Sequence, residues 1–168
     1  LKNNIEKYFN GSVINETEKR AVLHTSLRSS EIKNPNLKKE INDTLDKIIS
    51  ISDEINSGKK LGYTGKKITD VVNIGIGGSH LGPEMVTEAL SYYSHSVSPH
   101  FISNIDPDFT SKLLEKLDPE TTVFIIVSKT FTTIETLENA KKIRKWFIDK
   151  ANVESIKDHF IAVSNIIP

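Results

Sequence analysis

Four short apolar runs, rich in β-branched residues, recur through the last hundred residues of this chain: 70–76, 100–104, 122–127 and 159–164. The first reads Asp70-Val71-Val72-Asn73-Ile74-Gly75-Ile76 and the third Thr122-Val123-Phe124-Ile125-Ile126-Val127. Near-continuous apolar runs of this length suit strands buried on both faces, as in a parallel sheet. Between them the pattern turns helical, over 80–94, 107–117 and 132–150. Pro83 is tolerated in the first turn of the first helix. Phe109, Leu113, Leu114 and Leu117 fall on one side of the second. Ile134, Leu137, Ile143, Trp146 and Phe147 form the expected inner face of the third. Strands alternating with helices predict an α/β fold, a three-layer αβα sandwich around a parallel sheet. In such sheets ligands sit at the carboxyl ends of the strands.

The preceding segment has a different texture. Leu37, Ile41, Leu45, Ile48, Ile49 and Ile55 recur at mostly three- and four-residue steps, which predicts an amphipathic helix from Pro35 to about Ser57, stopped near Gly58. Residues 17–24 read as a short helix capped by Asn15 or Thr17. Gly62-Tyr63-Thr64-Gly65 is a loop. The expected division is a helical N-terminal segment over 1–66 and an α/β domain over 67–168.

Composition narrows the function classes. Lys plus Arg and Asp plus Glu number 22 each, so nothing points to a nucleic-acid or membrane-surface partner. An anionic ligand would have to be held by local geometry. There is no cysteine, which removes disulfides, thiol nucleophiles and thiolate metal sites. That fits a cytoplasmic protein, as does the lack of any apolar run near the roughly 20 residues that span a bilayer. The start has no signal-peptide core and no initiator Met, so the chain is expected to begin inside a longer protein.

Two segments have the chemistry of phosphate loops. In Gly75-Ile76-Gly77-Gly78-Ser79-His80-Leu81-Gly82-Pro83, glycines between a strand and a helix allow a sharp turn and close approach to a ligand. The helix start offers free N–H groups and the positive end of its dipole, and Ser79 adds a hydroxyl. In Ser128-Lys129-Thr130-Phe131-Thr132-Thr133, four hydroxyls and an ammonium crowd six residues after a strand, the donor density that a dianionic phosphate wants. Taken singly, the first is also what a tight turn that binds nothing looks like, and the second a Thr-rich helix cap with a solvated Lys. Two such loops after strands of one sheet favour a bound anion.

Other patterns are weaker. His24, His80, His95, His100 and His159 show no metal-ligand spacing. Glu135 and Glu138 read as a solvated helix face, with Glu135 also compensating the dipole in the first turn. No G-x-S-x-G elbow is present, and Gly65-Lys66-Lys67 precedes the strand instead of following it as in a Walker loop. The dinucleotide order of strand, glycine turn, helix and an acidic residue (Asp106) fails at the fingerprint's sixth position, which is His80, and leaves the second loop without a task.

The stretch from Thr69 to Pro83 resembles a signature of the glucose-6-phosphate isomerase family, as does Ser128-Lys129-Thr130-Phe131-Thr132-Thr133-Ile134-Glu135-Thr136. Residues 15–28 are similar to the family's segment before its first domain. His80 stands where many members carry an acidic residue, Ile134 where Gln is commoner, and residues 165–168 depart from the pattern. The resemblance implies a sugar-isomerase (SIS) domain with a five-stranded parallel sheet, of which four strands are read here and the fifth is expected after Pro168. It implies interconversion of glucose 6-phosphate and fructose 6-phosphate in glycolysis and gluconeogenesis, through a cis-enediol, with no metal or organic cofactor and a homodimeric parent. The base, the ring-opening groups and the arginine of that chemistry match nothing here and are expected downstream. By resemblance, Gly78, Ser79, Ser128, Lys129, Thr130 and Thr133 contact substrate, with the hydroxyls of Ser128, Thr130 and Thr133 on phosphate oxygens. The chain is thus expected to carry the phosphate grip and to lack activity alone. The alternative is a stand-alone, non-catalytic SIS module that binds phosphosugars.

Overall fold

The computed structural model describes residues 2–29, 32, 34–93 and 96–165. His95 and the divergent Ile166, Ile167 and Pro168 lie outside the described residues. The chain divides into two compact units, Leu1–Ile51 and Ser52–Pro168.

In the first unit, α1 (Lys2–Phe9) leads into an antiparallel hairpin of β1 (Val13–Asn15) and β2 (Arg20–Ala21). A 3-10 turn at His24–Leu27 follows, and then α2 (Pro35–Asn56), which continues into the second unit. The helix expected over 17–24 is not formed. The Asn15 signal is real: its Oδ1 accepts the Glu18 N–H at 3.0 Å. That bond closes a turn, because Lys19 adopts a left-handed φ of 52° that no α-helix contains. The long helix forms as the periodicity predicts. Asn34 Oδ1 caps it by accepting the N–H groups of Asn36 and Leu37 at 3.0 and 3.2 Å, with Pro35 in the first turn. No described residue before Ser52 is buried, and Leu45, Ile48 and Ile49 of α2 remain exposed.

The second unit is the α/β domain. β3 (Asp70–Ile74), β4 (Ser98–Ile102), β5 (Thr122–Val127) and β6 (Phe160–Val163) form a four-stranded, wholly parallel sheet in the order β4-β3-β5-β6. Ile74 is level with both Ile102 and Ile126, so the carboxyl ends of β4, β3 and β5 align. The connecting helices are α3 (Leu81–Ala89), α4 (Pro107–Leu114) and α5 (Ile134–Lys150), with one further turn, α6 (Ile156–His159), before β6.

Strand order decides where the helices go. From β3 the chain moves to one side, to β4, and then returns past β3 to β5 and β6. Right-handed crossovers therefore put α3 on one face and α4 and α5 on the other. The alternation of side chains agrees. Val72, Ile74 and Phe124 face Leu114, Leu117, Ile143 and Phe147 from the α4 and α5 layer. Val123 faces the opposite way, with Ile55 of α2 and Ile68. Phe124 is fully buried, stacked on Phe160 at 5.0 Å and edge-on to Trp146 and Phe147.

Two inner-face expectations are corrected. Phe109 is half exposed, and Thr110 points inward with Leu114 instead. Ile134 is mostly exposed, and Thr136, Asn139, Ala140, Ile143 and Phe147 face the sheet. In each case the helix is rotated so that residues four apart, 110 with 114 and 136 with 140, meet the strands. The large side chain at the first turn is left outside.

Candidate functional site

The strand order contains one reversal, and it falls between β3 and β5, whose neighbours β4 and β6 lie on opposite sides. At such a switch point the loops leave adjacent strands in opposite directions and open a crevice at the carboxyl edge. The loops flanking it here are 75–80 after β3 and 128–133 after β5. The two motifs are 48 to 58 residues apart in sequence, yet they leave strands paired in register, roughly 5 Å apart.

The first loop is a 3-10 turn, Gly77–Ser79, followed directly by α3. Gly75 is packed: a Cβ there would sit 2.6 Å from the Ser79 carbonyl oxygen. Gly77 has φ +56°, the left-handed region that favours glycine. Gly78 is different. Its φ is not positive, and a Cβ there would meet nothing within 4 Å. Neither backbone strain nor packing demands glycine, so the space above its backbone is open. Ser79 is held from below, its carbonyl accepting from Asn73 Nδ2 at 3.0 Å.

The second loop is tied to itself and to β6. The Ser128 side chain is buried, and its Oγ accepts the Phe131 N–H at 3.1 Å. As a hydroxyl it still has its own proton to donate. This bond supports the left-handed φ of 52° at Phe131, a sparsely populated backbone state for a bulky residue. The Lys129 carbonyl accepts from Ser164 Oγ at 3.1 Å and from the Asn165 N–H at 3.4 Å. Lys129 and Thr130 are exposed, and the Thr130 and Thr132 hydroxyls lie 2.6 Å apart. Thr133 is the N-cap residue of α5, but its hydroxyl makes no capping bond. The loop therefore sets its hydroxyls beside the free N–H groups that open a 17-residue helix.

A buried amide fixes this geometry from behind. Asn139 Nδ2 donates to the Asn104 carbonyl at 2.8 Å, tying α5 to the loop after β4. Asn73, Asn139 and Ser164 escaped the sequence reading because each acts on a backbone atom distant in sequence or out of motif. Polar residues at inward positions, Asn73 in β3 and Asn139 in α5, were the available signal. His159 lies elsewhere, at the amino edge. It is fully buried, with Nδ1 donating to the Thr122 carbonyl at 2.7 Å and Nε2 accepting the Tyr63 N–H at 3.0 Å. Burial pushes its pKa below the ordinary value, against the opposing effect of the Thr122 carbonyl.

A cavity of about 440 Å³ in the first unit is lined by Tyr8, Leu23, Ile32 and Leu37 among others. Among the described residues its only charged lining residue is Glu40, which repels an anion. Among the described residues no group of three or more His, Asp or Glu side chains is placed to hold a metal ion. None of their helices is long and apolar enough to cross a membrane.

Comparison with known proteins places this arrangement. The family model for phosphoglucose isomerase matches residues 1–167. The chain is 50% identical to glucose-6-phosphate isomerase of Christiangramia forsetii over 169 residues, covering 98% of this chain and 31% of that one. It is 52% identical to the Helicobacter pylori (strain Shi470) enzyme of the same name over 171 residues, with the same coverage. The crystal structure of a glucose-6-phosphate isomerase from Chlamydia trachomatis superposes with a TM-score of 0.79 at 28% identity, over 96% of this chain and 32% of that one. The chain thus spans about a third of the length of the relatives it matches.

Proposed function

The chain belongs to the phosphoglucose isomerase family, and on that premise we propose that it forms the phosphate-gripping part of an enzyme that interconverts glucose 6-phosphate and fructose 6-phosphate. The observation that carries this reading is that the glycine turn and the hydroxyl-rich loop leave the carboxyl ends of the adjacent strands β3 and β5 at the switch point, with open space above Gly78. Residues 67–168 are the sugar-phosphate-binding domain and residues 1–66 the N-terminal segment. The parent is a cytoplasmic homodimer.

In this assignment the phosphate sits at the N-terminus of α5. The hydroxyls of Ser128, Thr130 and Thr133 and nearby backbone N–H groups donate to its oxygens, Lys129 adds positive charge to the loop, and Gly78 and Ser79 meet the substrate from the opposite wall. Each bond to the dianion contributes about 1.5–3 kcal/mol. None of these residues is a base, and the phosphate is remote from the carbons between which the proton moves. The grip serves catalysis by spending remote binding energy on orientation. Proton transfer needs a base within hydrogen-bond reach of the proton. The family's base matches no residue here, so the chain alone is expected to bind and not to turn over.

Calorimetric titration with fructose 6-phosphate tests the grip. Thr130→Ala combined with Thr133→Ala should weaken binding by about 1–3 kcal/mol; unchanged affinity removes the assignment. A coupled assay with glucose-6-phosphate dehydrogenase tests the division of labour. Turnover by the purified chain, persisting after removal of host isomerase, would place the chemistry within these residues.

A further inference from the structure

The structure gives His80, the residue after the glycine turn, a specific setting. It joins the 3-10 turn to α3, with φ −126° and ψ −58°, outside helical geometry. Its N–H donates to the Gly77 carbonyl at 3.0 Å, and its own carbonyl accepts the Glu84 N–H at 3.0 Å. Its side chain is 12% exposed, and Nε2 lies 3.1 Å from Glu84 Oε2, one helical turn on. The ring is set edge-on to Phe101 of β4, centroids 5.9 Å apart. Nδ1 is buried without a partner.

Beside a carboxylate, Nε2 must carry the proton, since two lone pairs would otherwise face each other. Nδ1 is left buried with no partner, a costly state for a polar atom. A ring wanted only for packing would be better supplied by an apolar side chain. What histidine adds is the bond to Glu84. That bond matters because the segment before it, Gly77-Gly78, is the part of the loop with the most conformational freedom to lose. Asn73 fixes the Ser79 carbonyl, and the His80 ring, wedged between Phe101 and Glu84, fixes the next residue. We propose that the His80–Glu84 pair, seated on Phe101, is a latch that holds Gly78 and Ser79 in their ligand-receiving shape, making His80 a positioning residue for the sugar side of the bound phosphosugar. The inference rests on the phosphosugar reading above.

A latch on this wall has a signature that general destabilisation lacks. The loop at 128–133 grips phosphate, whereas the His80 latch acts on the opposite wall. His80→Ala should therefore weaken fructose 6-phosphate about tenfold while leaving inorganic phosphate unchanged. His80→Gln, whose amide can donate to Glu84, should restore most of the loss. Glu84→Ala should reproduce the split, and because the Glu84 side chain is 41% exposed, it keeps the fold even where His80→Ala does not. The two alanine substitutions together should cost little more than either alone, as for a single unit. Titrations of the full 168-residue chain with both ligands read this out. Equal fructose 6-phosphate affinity in the wild type and both alanine variants overturns the latch and leaves the phosphosugar reading standing. Parallel loss of both ligands overturns it in favour of a purely structural role. A wild type that binds neither ligand overturns the functional reading and the latch with it.

Discussion

Gly78→Ala separates the fold from the ligand more cleanly than any other substitution at the crevice. The added methyl meets no protein atom within 4 Å, and the backbone there is not in the left-handed region. In such a setting Gly→Ala reduces the freedom of the unfolded chain and stabilises by about 0.4–1 kcal/mol. For the ligand the same methyl is an obstruction, since it fills the space through which substrate would approach the turn. Losing one charge-assisted hydrogen bond to that displacement costs about 1.5–3 kcal/mol, or roughly 10- to 150-fold in affinity. The control is Gly75→Ala, whose Cβ would lie 2.6 Å from the Ser79 carbonyl oxygen and 2.8 Å from Ser79 Cβ. Relief there requires backbone movement, so stability falls along with binding. Thermal denaturation and calorimetric titration with fructose 6-phosphate, run on both variants, give the comparison. A Gly78→Ala chain that melts no lower than wild type and binds as tightly would show that the open space belongs to solvent, and the crevice assignment would fail.

Phe124→Ala removes the fully buried centre of the aromatic cluster and should cost about 3–5 kcal/mol in urea denaturation; a loss below about 1 kcal/mol would contradict the packing described. His159 is held neutral, with its folded pKa depressed below the ordinary 6.5, so the unfolded chain takes up a proton first as pH falls. Its contribution is complete above about pH 6.5 and lost as pH drops below that value toward the folded pKa. Urea midpoints should fall from pH 8 to pH 5 more steeply in the wild type than in His159→Gln, and identical slopes would remove His159 as the cause. The two sheet edges differ: β4 carries Pro99, which lacks an N–H, whereas β6 (Phe160-Ile161-Ala162-Val163) carries neither proline nor charge. The chain should therefore self-associate with rising concentration, and Ala162→Lys should reduce this in light scattering; equal association in that variant would locate the contact elsewhere.

The α/β domain was legible because its two central strands, β3 and β5, are packed on both faces. Val71, Val72, Val123 and Phe124 all meet a core, so both phases of each strand are apolar and the run stands out without reference to its partner. The long helix α2 was legible for a local reason as well, the three- and four-residue spacing of its apolar residues from Pro35 and Gly58 past its end. The misread segments lack such pressure. Residues 2–9 and 13–21 bury nothing fully, so no periodicity announces α1, and Asn15 serves a hairpin turn as readily as a helix cap. Phe109 and Ile134 stay outside because size alone does not turn a side chain inward. Helix rotation is set by the neighbouring strands, and a first-turn residue lies beyond them.

The site divides along the same line. Each loop could be found from its own few residues, since a glycine turn or a hydroxyl run after a strand is a local pattern. That the loops face one crevice depends on strand order, which arises from pairing across about fifty residues and is written in no short segment. The roles within the loop are hidden too: Ser128 and Thr130 look equivalent in sequence, yet Ser128 is buried closing its own turn while Thr130 is exposed. The chain's zero formal net charge makes this arrangement matter more. With no global field to draw a dianion in, recognition must come from donors fixed at short range, where each is worth most. That requirement accounts for the restraints gathered behind the crevice. Asn73, Asn139, Ser128 and Ser164 each anchor a backbone group of the two loops or the strand end beside them; on the proposed function, the donors would be set before the ligand arrives and little ordering would oppose binding.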